Sequence, residues 1–162
     1  MKQAIETLAS YNYLWSEGKI KRPLNIMIGG NIGTGKSTFA KLITEHLQHI
    51  NVLPTGIVRA VLQSLNLQTQ IPELYGHSYQ IGQHIDNPEL SEKDKVILAF
   101  DRQSAVIDAA IRKILEFSQS EGQQYILDGN HVKAKTVAEL REVFSLVGVF
   151  FQTSNIDQYP AS

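Results

Sequence analysis

The chain has 162 residues, room for one domain with its own core and little more. Hydrophobic residues make up 43% and charged residues 19%, as in an ordinary globular protein, and 15 Lys and Arg against 16 Asp and Glu leave a net charge of −1. Such a balance draws the chain neither to nucleic acid nor to an anionic membrane, so any anion site has to be local; the absence of cysteine excludes a disulfide framework and a thiolate zinc site.

Residues 3–17 predict a helix, with Leu8, Tyr11 and Trp15 at helical spacing and Gly18 as its stop. Tyr11 and Trp15 read as packing anchors. The first residues hold no apolar signal-peptide core, and the most apolar stretch, 143–151, is too short to span a bilayer and is interrupted by Ser145 and Gly148. A cytoplasmic protein with no membrane partner is the expectation.

A linker, 19–23, leads to a short strand at 24–28 that runs straight into glycines. Phe39, Ala40, Ile43 and Leu47 then mark one face of a helix expected to reach His49. Val52 and Leu53 predict a second strand closed by Pro54, followed by a helix with Ile57, Val58, Val61, Leu62 and Leu65 turned inward. From 68 to 91 the pattern is irregular, broken by Pro72, Gly76, Gly82 and Pro88, and a loop of that length is usually functional or mobile.

A long helix carries the stripe Val96, Phe100, Gln103, Ile107, Ala110, Ile111 and Ile114 and ends over 118–122. Tyr125-Ile126-Leu127-Asp128 is a buried-type strand ending in a carboxylate. A helix over 136–144 and a strand over 147–151 complete the pattern. Alternating strands and helices predict an α/β fold, a mostly parallel sheet covered on both faces, with ligands beyond the carboxyl ends of its strands.

One motif carries the chemistry. Gly30-Asn31-Ile32-Gly33-Thr34-Gly35-Lys36-Ser37 matches the phosphate-loop pattern, a glycine, four residues, then Gly-Lys-Ser, at every fixed position. Glycines let the backbone approach a phosphate and turn successive N–H groups into one anion-sized nest, and the following helix adds its amino-terminal N–H groups. Lys36 supplies charge for the β- and γ-phosphates of ATP or GTP, Ser37 a hydroxyl for Mg²⁺, and Thr38 a hydroxyl near the α-phosphate. Average residue frequencies give this pattern by chance in roughly one chain in 200 of this length. The required strand before it and helix after it are both predicted, so a mere helix-capping turn is the weaker reading.

Asp128 is the candidate second nucleotide signal, able to hold a water of the Mg²⁺ shell or to take a proton from a substrate hydroxyl; Asp-Gly is also a common turn dipeptide. Arg59 could clamp a carboxylate or phosphate of the acceptor, or be a solvated surface residue. His77, Ser78, Tyr79, Asn130 and His131 lie in the segments around these positions.

These residues resemble 2-phosphoglycerate kinases. The run 26–38 is similar to their phosphate loop, and 55–62, Thr-Gly-Ile-Val-Arg-Ala-Val-Leu, to their T-D-x-[IV]-R-E-V-[LM] segment. Residues 73–79 resemble their E-L-H-x-S-S-Y segment, 103–111 their Q-x-x-x-V helix, and 125–132 their strand ending E-G-x-H. The resemblance implies a single three-layer α/β/α P-loop domain over 1–162, with 1–22 an amino-terminal helix and linker. It implies ATP and Mg²⁺ as cofactors, transfer of the γ-phosphoryl group to a hydroxyl of a small phosphorylated acid, and an acceptor pocket including Arg59, Ser78, Tyr79 and His131. Nucleic acid is not expected as a partner, and no oligomeric state follows.

Two departures stand out. Gly56 replaces an Asp, and Asp128 replaces a Glu. The resemblance also implies an arginine-bearing lid and a fifth strand after the fourth, whereas Arg141 is the only arginine beyond Asp128 and Ser162 ends the sequence soon after the last predicted strand. The expectation is a fold lacking lid and last strand, either part of a longer kinase or a catalytically weak nucleotide-binding module. A P-loop kinase for another small acceptor is the remaining alternative.

Overall fold

A computed structural model describes residues 2–65, 70–76 and 80–152. In chain order the elements are α1 (Lys2–Ser16), β1 (Asn25–Gly30), α2 (Lys36–Thr44), β2 (Ile50–Pro54), α3 (Thr55–Ser64), two 3₁₀ turns (Pro72–Tyr75 and Ile81–His84), α4 (Glu92–Glu121), β3 (Gln124–Asp128), α5 (Ala134–Leu140) and β4 (Leu146–Phe151). Among the described residues the sheet has four strands in the order β2-β3-β1-β4, every neighbouring pair parallel.

Successive strand side chains point to opposite faces, and β1 supplies a core on each. Met27 joins Leu127 and Leu146 under α3, α4 and α5, through Val58, Ile107, Ile111, Val137 and Leu140. Ile26 and Ile28 join Ile126 on the other face, where Ala40 and Leu47 pack with Leu8 and Tyr11 of α1. Each fully buried side chain of this kind contributes roughly 1.5–3 kcal/mol. The result is the expected three-layer α/β/α fold. Tyr11 anchors α1: its hydroxyl donates to Gln124 Oε1 (2.8 Å), accepts from Leu24 N (3.2 Å), and its ring stacks with Trp15.

Parallel register brings the functional ends of the strands together. Ile28 pairs with Asp128 and Pro54 with Asp128, so the phosphate loop, Asp128 and the start of α3 leave the same edge of the sheet. α4 supports that edge over 30 residues; Ser91 caps it by accepting from Asp94 N (3.2 Å), and Gly122, at φ 65°, ends it. At its far end Asn25 donates to Ser118 Oγ (2.9 Å) and accepts from Tyr125 N (3.1 Å), tying the helix to the starts of β1 and β3.

Several boundaries and faces differ from the sequence reading. α2 stops at Thr44, short of His49, which takes φ 60° in the turn into β2. In α3, Val58 and Leu62 pack inward, but Ile57, Val61 and Leu65 are 52%, 59% and 61% exposed. The reason is topological. Among the described residues β2 is an edge strand, so none of the described elements covers the outer side of its helix, and an apolar stripe wider than the contact faces out. The irregular stretch after α3 is not structureless: its two 3₁₀ turns bury Leu74, Ile81 and Ile85 against α4 and neighbouring core residues.

Candidate functional site

Between β1 and α2 the chain turns through Gly33 (φ 80°) and Gly35 (φ 87°), conformations that a residue with a Cβ rarely adopts. Gly35 is the amino-terminal cap of α2 with no side-chain cap, so the first amides of the helix face outward with no capping side chain on them. Thr34 Oγ1 closes the turn on Asn31 O (2.8 Å). Asn31, Ile32, Gly33, Gly35, Ser37 and Thr38 are exposed, whereas Lys36 is only 8% exposed.

Lys36 reaches back over the loop and donates to the carbonyl oxygen of Asn31 (2.5 Å). Burial pulls its ammonium below the ordinary lysine value, and the Asp128 carboxylate draws it partly back. A neutral carbonyl is a weak partner for an ammonium group, so an anion in the nest would capture it.

Asp128, 4% exposed at the end of β3, accepts from Ser37 Oγ through Oδ2 at 2.8 Å. Its other oxygen, Oδ1, is buried with no hydrogen-bond partner among the described residues. A buried carboxylate oxygen without a donor is costly unless something else fills the site. A serine hydroxyl, one carboxylate and an adjacent anion nest are the donor set that suits Mg²⁺, which keeps several waters and takes its other ligands from phosphate. No cluster of three or more His, Asp or Glu able to hold a metal by itself occurs among the described residues. The chain therefore fits a metal arriving with a triphosphate.

Behind Asp128 the backbone packs closely. A Cβ on Gly129 would lie 1.8 Å from Thr55 Oγ1, so the loop after β3 can pass the start of α3 only as glycine. That passage carries His131 into the wall. The sequence reading turned His131 toward an acceptor; the structure leaves it 2% exposed, with Nδ1 3.3 Å from Thr55 Oγ1, Nε2 2.9 Å from Gln103 Oε1 and its ring stacked on Phe100. Burial, then the charges of Arg59 and Lys133, lower its pKa to about 4.

Arg59 sits one turn into α3, half-buried, with Nη1 3.5 Å from Gly76 O and Nε buried with no hydrogen-bond partner among the described residues. Ser78 and Tyr79, with His77, lie outside the described residues. Gly56 is exposed, and a Cβ there would meet none of the described residues within 4 Å. Beside the loop, Asn31, Ile32, Val96, Ile97, Phe100, Asp101 and Asn130 line a cavity of about 290 Å³. A larger one, about 600 Å³ and apolar, lies away from it between α3 and α4. The smaller adjoins the loop through Asn31 and Ile32, and the larger has no polar lining residue apart from Lys113, which pairs with Glu116.

The sequence reading singled out the loop and Asp128 as candidates, and took Thr55 and Gln103 only as positions in a helical stripe or in the segments that carry the resemblance, without giving either a role. A glutamine on the inward stripe of a helix was the available signal, because a buried amide needs partners.

No family model matches the chain. Curated relatives do. A protein of Methanocaldococcus jannaschii named 2-phosphoglycerate kinase is 28% identical over 150 residues, covering 90% of this chain and 48% of that protein. The protein of the same name from Methanopyrus kandleri is 29% identical over 151 residues, covering 93% and 45%. The chain resembles archaeal 2-phosphoglycerate kinases. It spans about half the length of these relatives. Among solved structures, a chain of the Pnkp1/Rnl/Hen1 complex overlaps 87% of this chain and 42% of its own at 10% identity and a TM-score of 0.41. No helix among the described residues is long and apolar enough to cross a membrane.

Proposed function

We propose that residues 1–162 form the nucleotide-binding domain of a small-molecule kinase that passes the γ-phosphoryl group of ATP to a hydroxyl of a small phosphorylated acid such as 2-phosphoglycerate. The observation that carries this reading is the Ser37–Asp128 contact beside the glycine loop, two nucleotide signals from distant parts of the sequence meeting at one corner. The named relatives point the same way.

In this reading the amides of Gly30, Asn31, Ile32, Gly33, Thr34 and Gly35, with those opening α2, hold the phosphates, and Thr38 adds a hydroxyl. Lys36 leaves the Asn31 carbonyl for the β- and γ-phosphates. Ser37 and Asp128 hold Mg²⁺, whose chemistry is to neutralise phosphate charge. Arg59, on the α3 side, orients the acceptor, with Ser78 and Tyr79 as further acceptor contacts. Transfer breaks the bond from the γ-phosphorus to the β–γ bridging oxygen and forms one to the acceptor oxygen. ADP leaves, and the hydroxyl proton passes to a carboxylate or to solvent.

The test is a panel of hydroxy-acid phosphates incubated with γ-labelled ATP and Mg²⁺, in which label should move to the acceptor. A folded, nucleotide-bound chain that labels nothing would remove the kinase reading. Asp128→Asn should spare nucleotide affinity while raising the Mg²⁺ concentration needed; an unchanged metal response would count against its role.

The bare Gly56 favours a second reading, a nucleotide-binding module of weak turnover. Micromolar or tighter nucleotide binding with negligible transfer would support it, and brisk transfer would exclude it.

A further inference from the structure

Behind the phosphate loop, three buried polar side chains form one continuous run of hydrogen bonds. Gln103 Nε2 donates to the backbone carbonyls of Glu73 (2.5 Å) and Gly76 (3.4 Å). Those two bonds fix which way round the amide sits, leaving Oε1 to face His131 Nε2 at 2.9 Å. An amide oxygen only accepts, so Nε2 of the imidazole carries the hydrogen. Nδ1 is then a lone pair, and the Thr55 hydroxyl 3.3 Å away donates to it. Every link has one direction, and Gln103, Thr55 and His131 are all buried.

The links come from four places around the site. His131 is three residues beyond Asp128, and Thr55 opens the helix that carries Arg59. Gln103 belongs to α4. The carbonyls belong to the 3₁₀ turn Pro72–Tyr75 and the glycine after it. The Gly76 carbonyl also takes Arg59 Nη1. Phe100, stacked on the imidazole at 5.6 Å, also lines the cavity beside the loop.

We propose that Gln103, His131 and Thr55 are positioning residues that couple occupancy of the phosphate loop to the placement of the turn at 73–76 and of Arg59 on the acceptor side. The inference rests on the reading that the loop holds a nucleotide, and it adds a link between the two halves of the site. Only two residues separate Asp128 from His131, so a change at the carboxylate is passed to the imidazole. Because every donor in the run is already used, the turn must follow or leave a buried N–H or O–H unpaired.

The test is hydrogen exchange at the amides of 73–76, with and without Mg²⁺ and the non-hydrolysable β,γ-imido analogue of ATP. In the native chain the analogue should slow exchange there by about fivefold or more, the lower end of ordinary coupling between sites. Gln103→Leu should reduce that slowing below about twofold while nucleotide affinity stays within about threefold of native. Should that variant fail to melt cooperatively, Thr55→Val, which deletes one hydroxyl, carries the test, and Thr55→Ser should restore the slowing. Equal slowing in native and variant chains would overturn the coupling, as would a nucleotide-bound native chain showing none. A native chain that binds no nucleotide would sink both readings. Slowing that persists while no acceptor is phosphorylated would sink the kinase reading alone.

Discussion

At the β1–α2 corner the backbone runs into a turn with two left-handed glycines, outward-facing helix amides, Lys36 poised over the loop and Ser37 on Asp128. The β2–α3 corner, on the other side of β3, presents a buried Thr55, a Gly56 without a side chain and Arg59 one turn on. Both corners leave the same end of the sheet, but five residues with two left-handed glycines separate β1 from α2, whereas α3 follows β2 directly. A strand-to-helix crossing at that end does not by itself make a site. The first corner would bind through its backbone, whose amides belong to any sequence that adopts the turn, while the second would have to act through side chains and has few to offer among the described residues. Phosphate recognition can be complete in a chain whose acceptor recognition is sparse.

The largest expected effect falls on the first corner. Lys36→Ala should lower nucleotide affinity by about 10- to 100-fold, the worth of a hydrogen bond to a charged group, without unfolding the sheet. Calorimetric titration showing native affinity would erase the contrast between the corners. Next, Gly129→Ala forces a Cβ to within 1.8 Å of Thr55 Oγ1 and should destabilise by roughly 1–3 kcal/mol in urea unfolding.

His131 sharpens the comparison through pH. Its folded pKa, about 4, lies below the ordinary histidine value near 6.5, so the unfolded chain binds more protons between those limits. Its contribution is fully present above the unfolded value and is lost as pH falls toward the folded one. From about pH 7.5 to about pH 5 the loss amounts to about 2 kcal/mol. His131→Gln should flatten that slope; urea midpoints at the two pH values decide it. The smallest effect belongs to Gly56→Ala, where nothing lies within 4 Å: a gain of up to about 1 kcal/mol from the second position of α3, against the loss at Gly129.

The same contrast explains what was legible in the sequence. The phosphate loop, the strand ending in Asp128 and the long α4 stripe could all be read, because each is fixed by local spacing. The outward turn of Ile57, Val61 and Leu65 could not, since it depends on β2 being an edge strand, a property of the whole sheet. Nor could the two 3₁₀ turns, too short to show a period, though they bury Leu74 and Ile81. The resemblance put His131 in the acceptor pocket, and only the packing of Gln103, Thr55 and Phe100 around it shows an interior imidazole.

The most direct measurement follows the backbone amide resonances of the native chain as ATP and Mg²⁺ are added together. Saturable shifts should concentrate on Gly33, Gly35, Lys36 and Ser37 and extend to Asp128 and Gly129. Resonances there that stay put at saturating nucleotide, or shifts confined to the apolar groove between α3 and α4, would contradict the assignment of this corner as a triphosphate site.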